Sequence, residues 1–263
     1  MSDTSVTVTY TDWEDDLVIP PLLKTSWHQY YPYNALAPLR KEHIFYGPSA
    51  HAPIGCVPLA AAQVFASLSR RGLLLKDADL WSILGEVPRV YPFSSASIKT
   101  AIAKTLQSLA RKTVIWASYH FSLGSPLRAL RLFKEYRFSQ ARLKWFNKND
   151  KEDIVRMLKE GKPVLIMGLD LPVEGHAWVA DGFFRRKRNK VTSNDKGELI
   201  VEETETEDYL HCNFGWGGAA NGFYPFGSFD TRTGPVFRDP KTDTYGGKTA
   251  SRNFTALLHF IAY

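Results

Sequence analysis

The spacing of the apolar residues changes once along the chain, close to Lys162. Before that point, runs with helical spacing predict four helices, which cover about residues 56–68, 96–111, 125–136 and 149–160. After it, apolar runs typical of strands begin near residues 163, 175, 199, 209 and 256. This order predicts an α+β fold in a single domain of residues 1–263, with a helical lobe at about 22–160 and a β-rich lobe at about 161–263. The first fifty residues contain five prolines and are predicted to be rich in loops.

Composition excludes several classes of protein. The chain has 263 residues, of which 44% are hydrophobic and 23% charged, so it can bury a large core. Its two cysteines, Cys56 and Cys212, exclude a disulfide scaffold and a four-cysteine metal site. No run of about 18 apolar residues occurs, so we predict no membrane span. The net charge of +6 permits anionic partners without requiring them.

Cys56 stands at the predicted start of the first helix, because Pro58 is tolerated only in a first turn. A thiol at this position meets the positive end of the helix dipole, and a neighbouring imidazolium would lower the thiol pKa further. Gly55 has no side chain and lets a substrate backbone approach. The alternative is a small buried cysteine that only packs.

His176 is the histidine best placed to act as a base. It lies on a predicted strand between Gly175 and Ala177, whose small size lets the imidazole ring face a cleft. The alternative is a structural histidine with its hydrogen bonds satisfied. The histidines without such a context are interpreted as structural or surface residues, namely His28, His43, His51, His120 and His259. His211 and Cys212 are adjacent, so they face opposite ways on a strand and make a poor metal pair.

Two amide side chains complete a catalytic set. Asn213 ends a predicted strand and can accept a hydrogen bond from an imidazole, with the rings of Phe214 and Trp216 shielding that bond from water. Gln29 lies in a predicted loop and can donate to an oxyanion. Alone, the first segment could be an aromatic turn that packs and the second an ordinary loop. Cysteine, histidine and asparagine in this chain order, with a glutamine upstream, form the nucleophile, base, orienter and oxyanion donor of papain-like catalysis.

The basic run Arg185–Arg188 suggests nucleic-acid binding, but a simpler interpretation is available. Residues 193–197 have the composition of a turn, which places the basic strand opposite Glu202, Glu203, Glu205 and Glu207. Opposite charges that face each other across a hairpin stabilise a sheet. We therefore predict a charge-paired hairpin and no nucleic-acid partner.

Four segments of the chain resemble the streptopain-like cysteine peptidases, a bacterial branch of the papain-like superfamily. They comprise residues 22–34, residues 55–63, the run from Gly175 to Gly182, and the run from His211 to Gly222. Together they span about residues 22–226 in the family's order. The last segment, with its Asn-aromatic-Gly-Trp-Gly-Gly pattern, is the most specific, whereas about 70–160 matches only in its helical character.

The resemblance implies a two-lobed papain-like fold and the hydrolysis of peptide bonds, often with a hydrophobic residue second upstream of the cut. It implies Cys56 as nucleophile and His176 as general base and acid. It further implies that Asn213 orients His176 and that Gln29 and the Cys56 backbone N–H form the oxyanion hole. Protein or peptide substrates are expected, and no metal or organic cofactor.

The resemblance also suggests which residues bind substrate. Trp216 would line the leaving-group side of the cleft, and Gly55, Gly175 and Phe214 are further candidates. Two positions depart from the family pattern, because Phe214 replaces a usual Trp and Pro58 replaces a usual Ala or Thr. A phenyl ring can still shield the histidine, so we expect tuning of the activity rather than its loss.

Some properties stay open at this point. A secretion leader and an inhibitory prodomain are normal in the family, so we expect a secreted or cell-envelope protein, or a cytoplasmic one if this chain is the complete gene product. An inhibitory prodomain or an inhibitor protein is a possible partner. The alternatives are another acyl-transfer enzyme on the same fold, such as an amidase or transglutaminase, and a non-catalytic binding or inhibitor module.

Overall fold

The chain combines helices with antiparallel sheet, which is the predicted α+β class. The computed structural model describes residues 6–39, 51–74, 76–117, 122–170, 174–240 and 251–263. The helices are α1 (Cys56–Arg70), α2 (Ala78–Gly85), α3 (Ala96–Thr113), α4 (Pro126–Glu135) and α5 (Lys151–Lys159). The strands are β1 (Val6–Tyr10), β2 (Glu14–Ile19), β3 (Val114–Ala117), β4 (Ser122–Gly124), β5 (Arg142–Trp145), β6 (Val164–Asp170), β7 (Glu174–Asn194), β8 (Leu199–Asn213), β9 (Gly222–Pro225), β10 (Phe229–Asp230), β11 (Phe237–Arg238), β12 (Asn253–Phe254) and β13 (Ala256–Ala262). None of the helices in these ranges is long and apolar enough to cross a membrane.

One antiparallel sheet of nine strands dominates the described structure, in the order β11-β9-β8-β7-β6-β13-β5 with β1 and β2 added to β7. The two longest strands, β7 and β8, form a hairpin in which Val179 lies opposite Asn213. Along its other edge, β7 pairs first with β6 over residues 174–180, then with β2 over 183–187 and with β1 over 190–194. Strand β7, which carries His176, is therefore held by four partners.

The two faces of this sheet lie under different hydrophobic clusters. On one face, Leu165 and Met167 join the apolar residues of α1, α3 and α4. On the other face, Ile166 and Trp178 join α5 and the aromatic residues that follow β8. This alternation is the side-chain period of strands that are buried on both faces. Because α1 lies against the sheet, its first residue reaches the first residues of β7.

The four predicted helices are present, and their ends follow the expected signals. Pro58 lies in the first turn of α1, and Gly72, with φ of 69°, follows its end. The Ser125 side chain accepts a hydrogen bond from the Arg128 N–H at 3.4 Å, so it caps α4 as predicted. Helix α2 was not predicted, since it has only 8 residues and its N-cap, Asp77, makes no side-chain cap bond.

The prediction of loops in the first fifty residues is wrong for residues 6–10 and 14–19, which form β1 and β2. These strands exist because β7 extends beyond β6 and offers them an edge to pair with. Between them, the Trp13 ring lies under the guanidinium groups of Arg186 and Arg188, which are 4.6 and 4.5 Å from its centroid. Residues 40–50 of the same prediction lie outside the described residues.

The charge-paired hairpin is confirmed. Ion pairs join Arg186 to Glu207 at 2.6 Å, Arg188 to Glu205 at 2.8 Å, and Lys190 to Glu203 at 3.1 Å. The predicted turn closes through a hydrogen bond from the Gly197 N–H to the Asn194 carbonyl. The basic run is therefore matched by acidic side chains across β7 and β8.

Candidate active site

Cys56 is the first residue of α1, as predicted. The residue before it, Gly55, has φ of 106° and ψ of 145°, a conformation that other residues rarely adopt. No side chain caps this helix, so its first N–H groups are left for other acceptors. The backbone N–H groups of Cys56, Val57 and Ala177 interact with the Cys56 sulfur. The thiol therefore lies where three backbone donors can stabilise a negative charge.

Burial acts against those donors. It raises the pKa of the Cys56 thiol and is the largest influence on it, while the N–H groups of Ala177, Val57 and Cys56 lower the pKa. The sequence argument, which combined the helix terminus with a neighbouring imidazolium, favoured a lowered thiol pKa and is wrong in direction. The physical reason is that burial of the sulfur disfavours the charged thiolate more than these N–H groups favour it.

His176 is the third residue of β7, and its ring is hydrogen-bonded on one side. Its Nε2 lies 2.8 Å from the carbonyl oxygen of Phe214. Because a carbonyl oxygen only accepts, Nε2 carries the proton, and Nδ1 of the neutral ring is left as an acceptor. Burial lowers the pKa of His176 to about 4, and the Phe214 carbonyl opposes this shift. At neutral pH the ring is therefore neutral, with Nδ1 able to take up a proton.

Four aromatic side chains surround the His176 ring. Their centroids lie 4.8 Å from it for Trp216, 5.4 Å for Phe254, 6.1 Å for Phe214 and 6.3 Å for Trp178. All four rings are buried, so they exclude water from the bond between His176 and the Phe214 carbonyl. The sequence predicted this shielding by Phe214 and Trp216. It gave no indication of Phe254, which comes from the short strand β12.

Asn213 has other partners than the expected imidazole. Its Nδ2 donates to the Thr25 carbonyl at 2.8 Å, and its Oδ1 accepts from the Gly215 N–H at 3.1 Å. The acceptor that His176 finds is the carbonyl of the next residue, Phe214. The side chain of Asn213 turns toward Gly215, where φ is 68° and the chain leaves β8. Asn213 therefore supports the turn that presents the Phe214 carbonyl, and its predicted direct contact with His176 is replaced by a backbone contact.

The segment with Gln29 lies between the nucleophile and the aromatic turn. The Gln29 carbonyl accepts a hydrogen bond from the Ile54 N–H at 3.0 Å, two residues before Cys56. Its neighbour His28 forms an antiparallel bridge with Trp216. These two contacts place the Gln29 backbone beside the residues that precede Cys56 and next to a residue that is bridged to Trp216.

Cys56 and His176 line the same cavity, which has a volume of about 270 Å³. Other lining residues are Val57, Gly124, Pro126, Met167, Gly168, Leu169, Gly175, Ala177, Leu257 and His259. Two of the glycines are needed for space, because a Cβ at Gly124 would overlap Val57 and one at Gly168 would overlap Leu258. The cavity therefore runs from the nucleophile along an apolar wall toward β13. Of the predicted substrate-binding residues, Gly175 lines it, whereas Gly55, Phe214 and Trp216 lie outside its lining.

Gln63 is a residue of this region that the sequence analysis missed. Its Oε1 accepts from the Thr25 hydroxyl at 3.1 Å and from the Trp27 N–H at 3.3 Å, and its Nε2 lies 3.4 Å from Asn213 Oδ1. It joins α1 to the segment before Gln29 and to the end of β8. The signal was a lone polar residue in a buried helical run of small and apolar side chains.

His211 and Cys212 lie apart from this cavity. His211 donates to Asp181 at 2.5 Å and to Asp239 at 2.9 Å, and these carboxylates raise its pKa to about 10 although burial lowers it. Burial raises the pKa of the Cys212 thiol. Within the described ranges, no group of three or more His, Cys, Asp or Glu side chains is arranged to hold a metal ion. His43 and His120 lie outside the described residues.

The model of the peptidase C10 family matches residues 97–224. This span includes His176 and Asn213, whereas Gln29 and Cys56 precede it. No curated protein matches the chain.

Proposed function

We propose that the chain cuts peptide bonds through a thioester on Cys56, with His176 as base and acid. The match of the peptidase C10 family to residues 97–224 supports a streptopain-like cysteine peptidase. The observation that carries this assignment is the cavity that both side chains line. The contact between the sulfur and the Ala177 N–H supports it, since Ala177 follows His176 directly.

The proposed reaction begins with the neutral pair. Nδ1 of His176 takes the proton of the Cys56 thiol while the sulfur attacks the carbonyl carbon of the peptide bond. The carbonyl oxygen becomes an oxyanion, which the Cys56 backbone N–H and the Gln29 side chain stabilise. Transfer of the proton from His176 to the departing amine breaks the C–N bond and leaves the thioester. Water, deprotonated by His176, then releases the acid and restores the thiol.

The Phe214 carbonyl has a defined part in this scheme. It holds the proton on Nε2, so the ring presents Nδ1 to the thiol and stays in one tautomer throughout the cycle. When the ring is protonated, the same carbonyl stabilises its positive charge. Asn213 acts one step away, by holding the turn that carries this carbonyl.

We also propose that the fold is the two-lobed papain-like one, with the helical layer and the sheet as its lobes. The two hydrophobic clusters and the position of the cavity at the start of both α1 and β7 support this. Substrates are protein or peptide chains that lie in the cleft between the two layers.

The two cysteines provide the test. Cys56→Ala should abolish hydrolysis of a peptide library, read by mass spectrometry, because it removes the nucleophile. Cys212→Ala is the matched control and should keep most of the activity, since Cys212 is buried in the other cluster. Equal activity of Cys56→Ala and the unaltered protein would refute the assignment. An assay with an added amine distinguishes a transferase, which would join the amine to the acyl group.

A further inference from the structure

His259 is the one polar side chain, apart from Cys56 and His176, among the described residues that line the cavity. It belongs to β13, where it lies opposite Met167 of β6 and Trp145 of β5. The other lining side chains are apolar or absent. A substrate side chain that enters this cavity therefore meets apolar walls and a single imidazole.

The His259 ring is held in one orientation. Its Nδ1 lies 2.7 Å from the Leu257 carbonyl oxygen, and its ring packs on that of Trp145 with the centroids 3.9 Å apart. Because the carbonyl only accepts, Nδ1 carries the proton and Nε2 of the neutral ring has a free lone pair. Within the described part of the chain, Nε2 has no hydrogen-bond partner of its own. It is therefore an acceptor that a ligand can use.

The backbone around Leu257 supports this arrangement. Leu257 has φ of 46°, a conformation rare for a branched residue, and the register of β13 against β6 shifts between Ala256 and His259. The shift makes Leu257 a lining residue of the cavity and places its carbonyl against His259 Nδ1. Backbone strain of this kind is concentrated at functional sites in proteins.

We propose that this cavity is a side-chain subsite that selects residues with an apolar stem and a hydrogen-bond donor at its end, and that His259 Nε2 is the acceptor. The inference rests on the proposed function, because it needs the substrate to be cut at Cys56. It changes our interpretation of His259, which the sequence analysis took for a structural or surface residue. Tyrosine, glutamine and threonine have such side chains, whereas phenylalanine, methionine and valine are their apolar counterparts.

The test compares these pairs. Peptides that differ only as Tyr or Phe, Gln or Met, and Thr or Val are placed at each position around the cut, and kcat/KM is measured at pH 8. At one position the donor residue should be favoured by about twofold to tenfold, which is the worth of one neutral hydrogen bond. Equal rates for all pairs at every position would overturn the inference.

Variants of His259 identify the acceptor. His259→Phe keeps an aromatic ring beside Trp145. It should bring the kcat/KM ratio of each donor peptide to its apolar counterpart to about one, while the apolar peptides are still cut. His259→Gln offers an amide oxygen and should restore part of the preference. His51→Phe is the matched control, since the Nδ1 of His51 also lies against a carbonyl, that of Ala37, but His51 is outside the cavity lining. Retention of the preference in His259→Phe would refute the role of His259.

Failure of the inference and failure of the proposed function are distinguishable. If no peptide is cut and no thioester forms on Cys56, the proposed function fails and the subsite with it. If peptides are cut at Cys56 without a preference for donors, only the subsite inference fails.

Discussion

At the scale of single residues, the main feature of the site is that burial disfavours the charged forms of both the Cys56 thiol and the His176 ring. It raises the pKa of the Cys56 thiol and lowers that of His176 to about 4. The same enclosure strengthens every hydrogen bond in the site, including the one from His176 to the Phe214 carbonyl. Both side chains are therefore neutral at neutral pH.

The pH profile should report this directly. His176 acts as a base only when it is neutral, so kcat/KM for a peptide should fall below about pH 4 and should be level from about pH 5 to 7. An acidic limb near pH 6.5, the ordinary value for histidine, would contradict the effect of burial. Circular dichroism at each pH separates loss of activity from loss of the fold.

Gln29 and Asn213 should differ in their effects. Gln29→Ala should lower turnover about 10²–10³-fold if its amide stabilises the oxyanion, and a change below about threefold would remove it from that role.

Asn213→Ala should do less harm than His176→Ala, because Asn213 acts through the turn after β8. Measurement of kcat for the three variants tests this ranking. A larger loss of kcat in Asn213→Ala than in His176→Ala would discredit the supporting role of Asn213.

The places of Cys56 and His176 in the fold could be predicted from the sequence better than their contacts. Cys56 starts a helix and His176 lies on a strand, as expected, because a helix start with Pro58 and a strand with small neighbours are local patterns. The hydrogen-bond acceptor of His176 could not be predicted. It is a backbone carbonyl, which every residue has, and its direction depends on the turn at Gly215.

At the scale of elements, the position of α1 depends on close packing at its start. Val57 lies against Gly124 of β4, where no side chain could fit without a shift of the helix. Because Cys56 precedes Val57, any such shift moves the sulfur. Helix α1 is thus positioned by β4 on one side and by the Ala177 backbone on the other.

Gly124→Ala tests this contact. The added methyl group would overlap Val57, so we expect a loss of stability of about 1–3 kcal/mol from overpacking. Displacement of the nucleophile by about 1 Å should lower kcat by up to about 100-fold. The double variant Gly124→Ala with Val57→Ala should recover activity, measured with the same peptide. Full activity of the single variant would show that α1 tolerates the shift.

The elements that the sequence predicted are those with local signals, such as the Ser125 cap of α4 and the continuous apolar run of β6. Strands β1 and β2 could not be predicted, because every residue of β1 is exposed and its partner lies about 180 residues further along the chain. Their formation depends on the length by which β7 exceeds β6, which is a property of the assembled sheet.

At the scale of the whole molecule, an ion triad joins distant parts of the chain, with His211 and Asp181 buried and Asp239 partly exposed. His211 of β8 lies between Asp181 of β7 and Asp239, and Asp181 also accepts a hydrogen bond from the Leu23 N–H at 2.9 Å. The triad thus attaches the segment before Gln29 to the sheet. Removal of the His211 imidazolium would leave the buried Asp181 carboxylate without its charged partner.

The stability of the protein should therefore depend on His211 above neutral pH. Its pKa is about 10 in the folded protein and about 6.5 when unfolded. The stabilisation is fully present below about pH 6.5 and is lost as the pH rises through 10, at up to about 1.4 kcal/mol per pH unit. Urea unfolding at pH 6, 8 and 10 should show this decline for the unaltered protein and a weaker one for His211→Gln. If the free energy of unfolding declined equally with pH in both proteins, His211 would be excluded as the source of the pH dependence.

The pairing of the first strands with β7 has a consequence for how the molecule is made. Strands β1 and β2 are synthesised before their partner β7, which ends at Asn194, 175 residues after Ile19. At about 5–20 residues per second, they wait roughly 10–35 s before they can pair. Val6 and Val8 are apolar residues of an unpaired strand during that time, which is a template for aggregation. A chaperone that binds nascent chains should therefore bind this protein at β1 and β2.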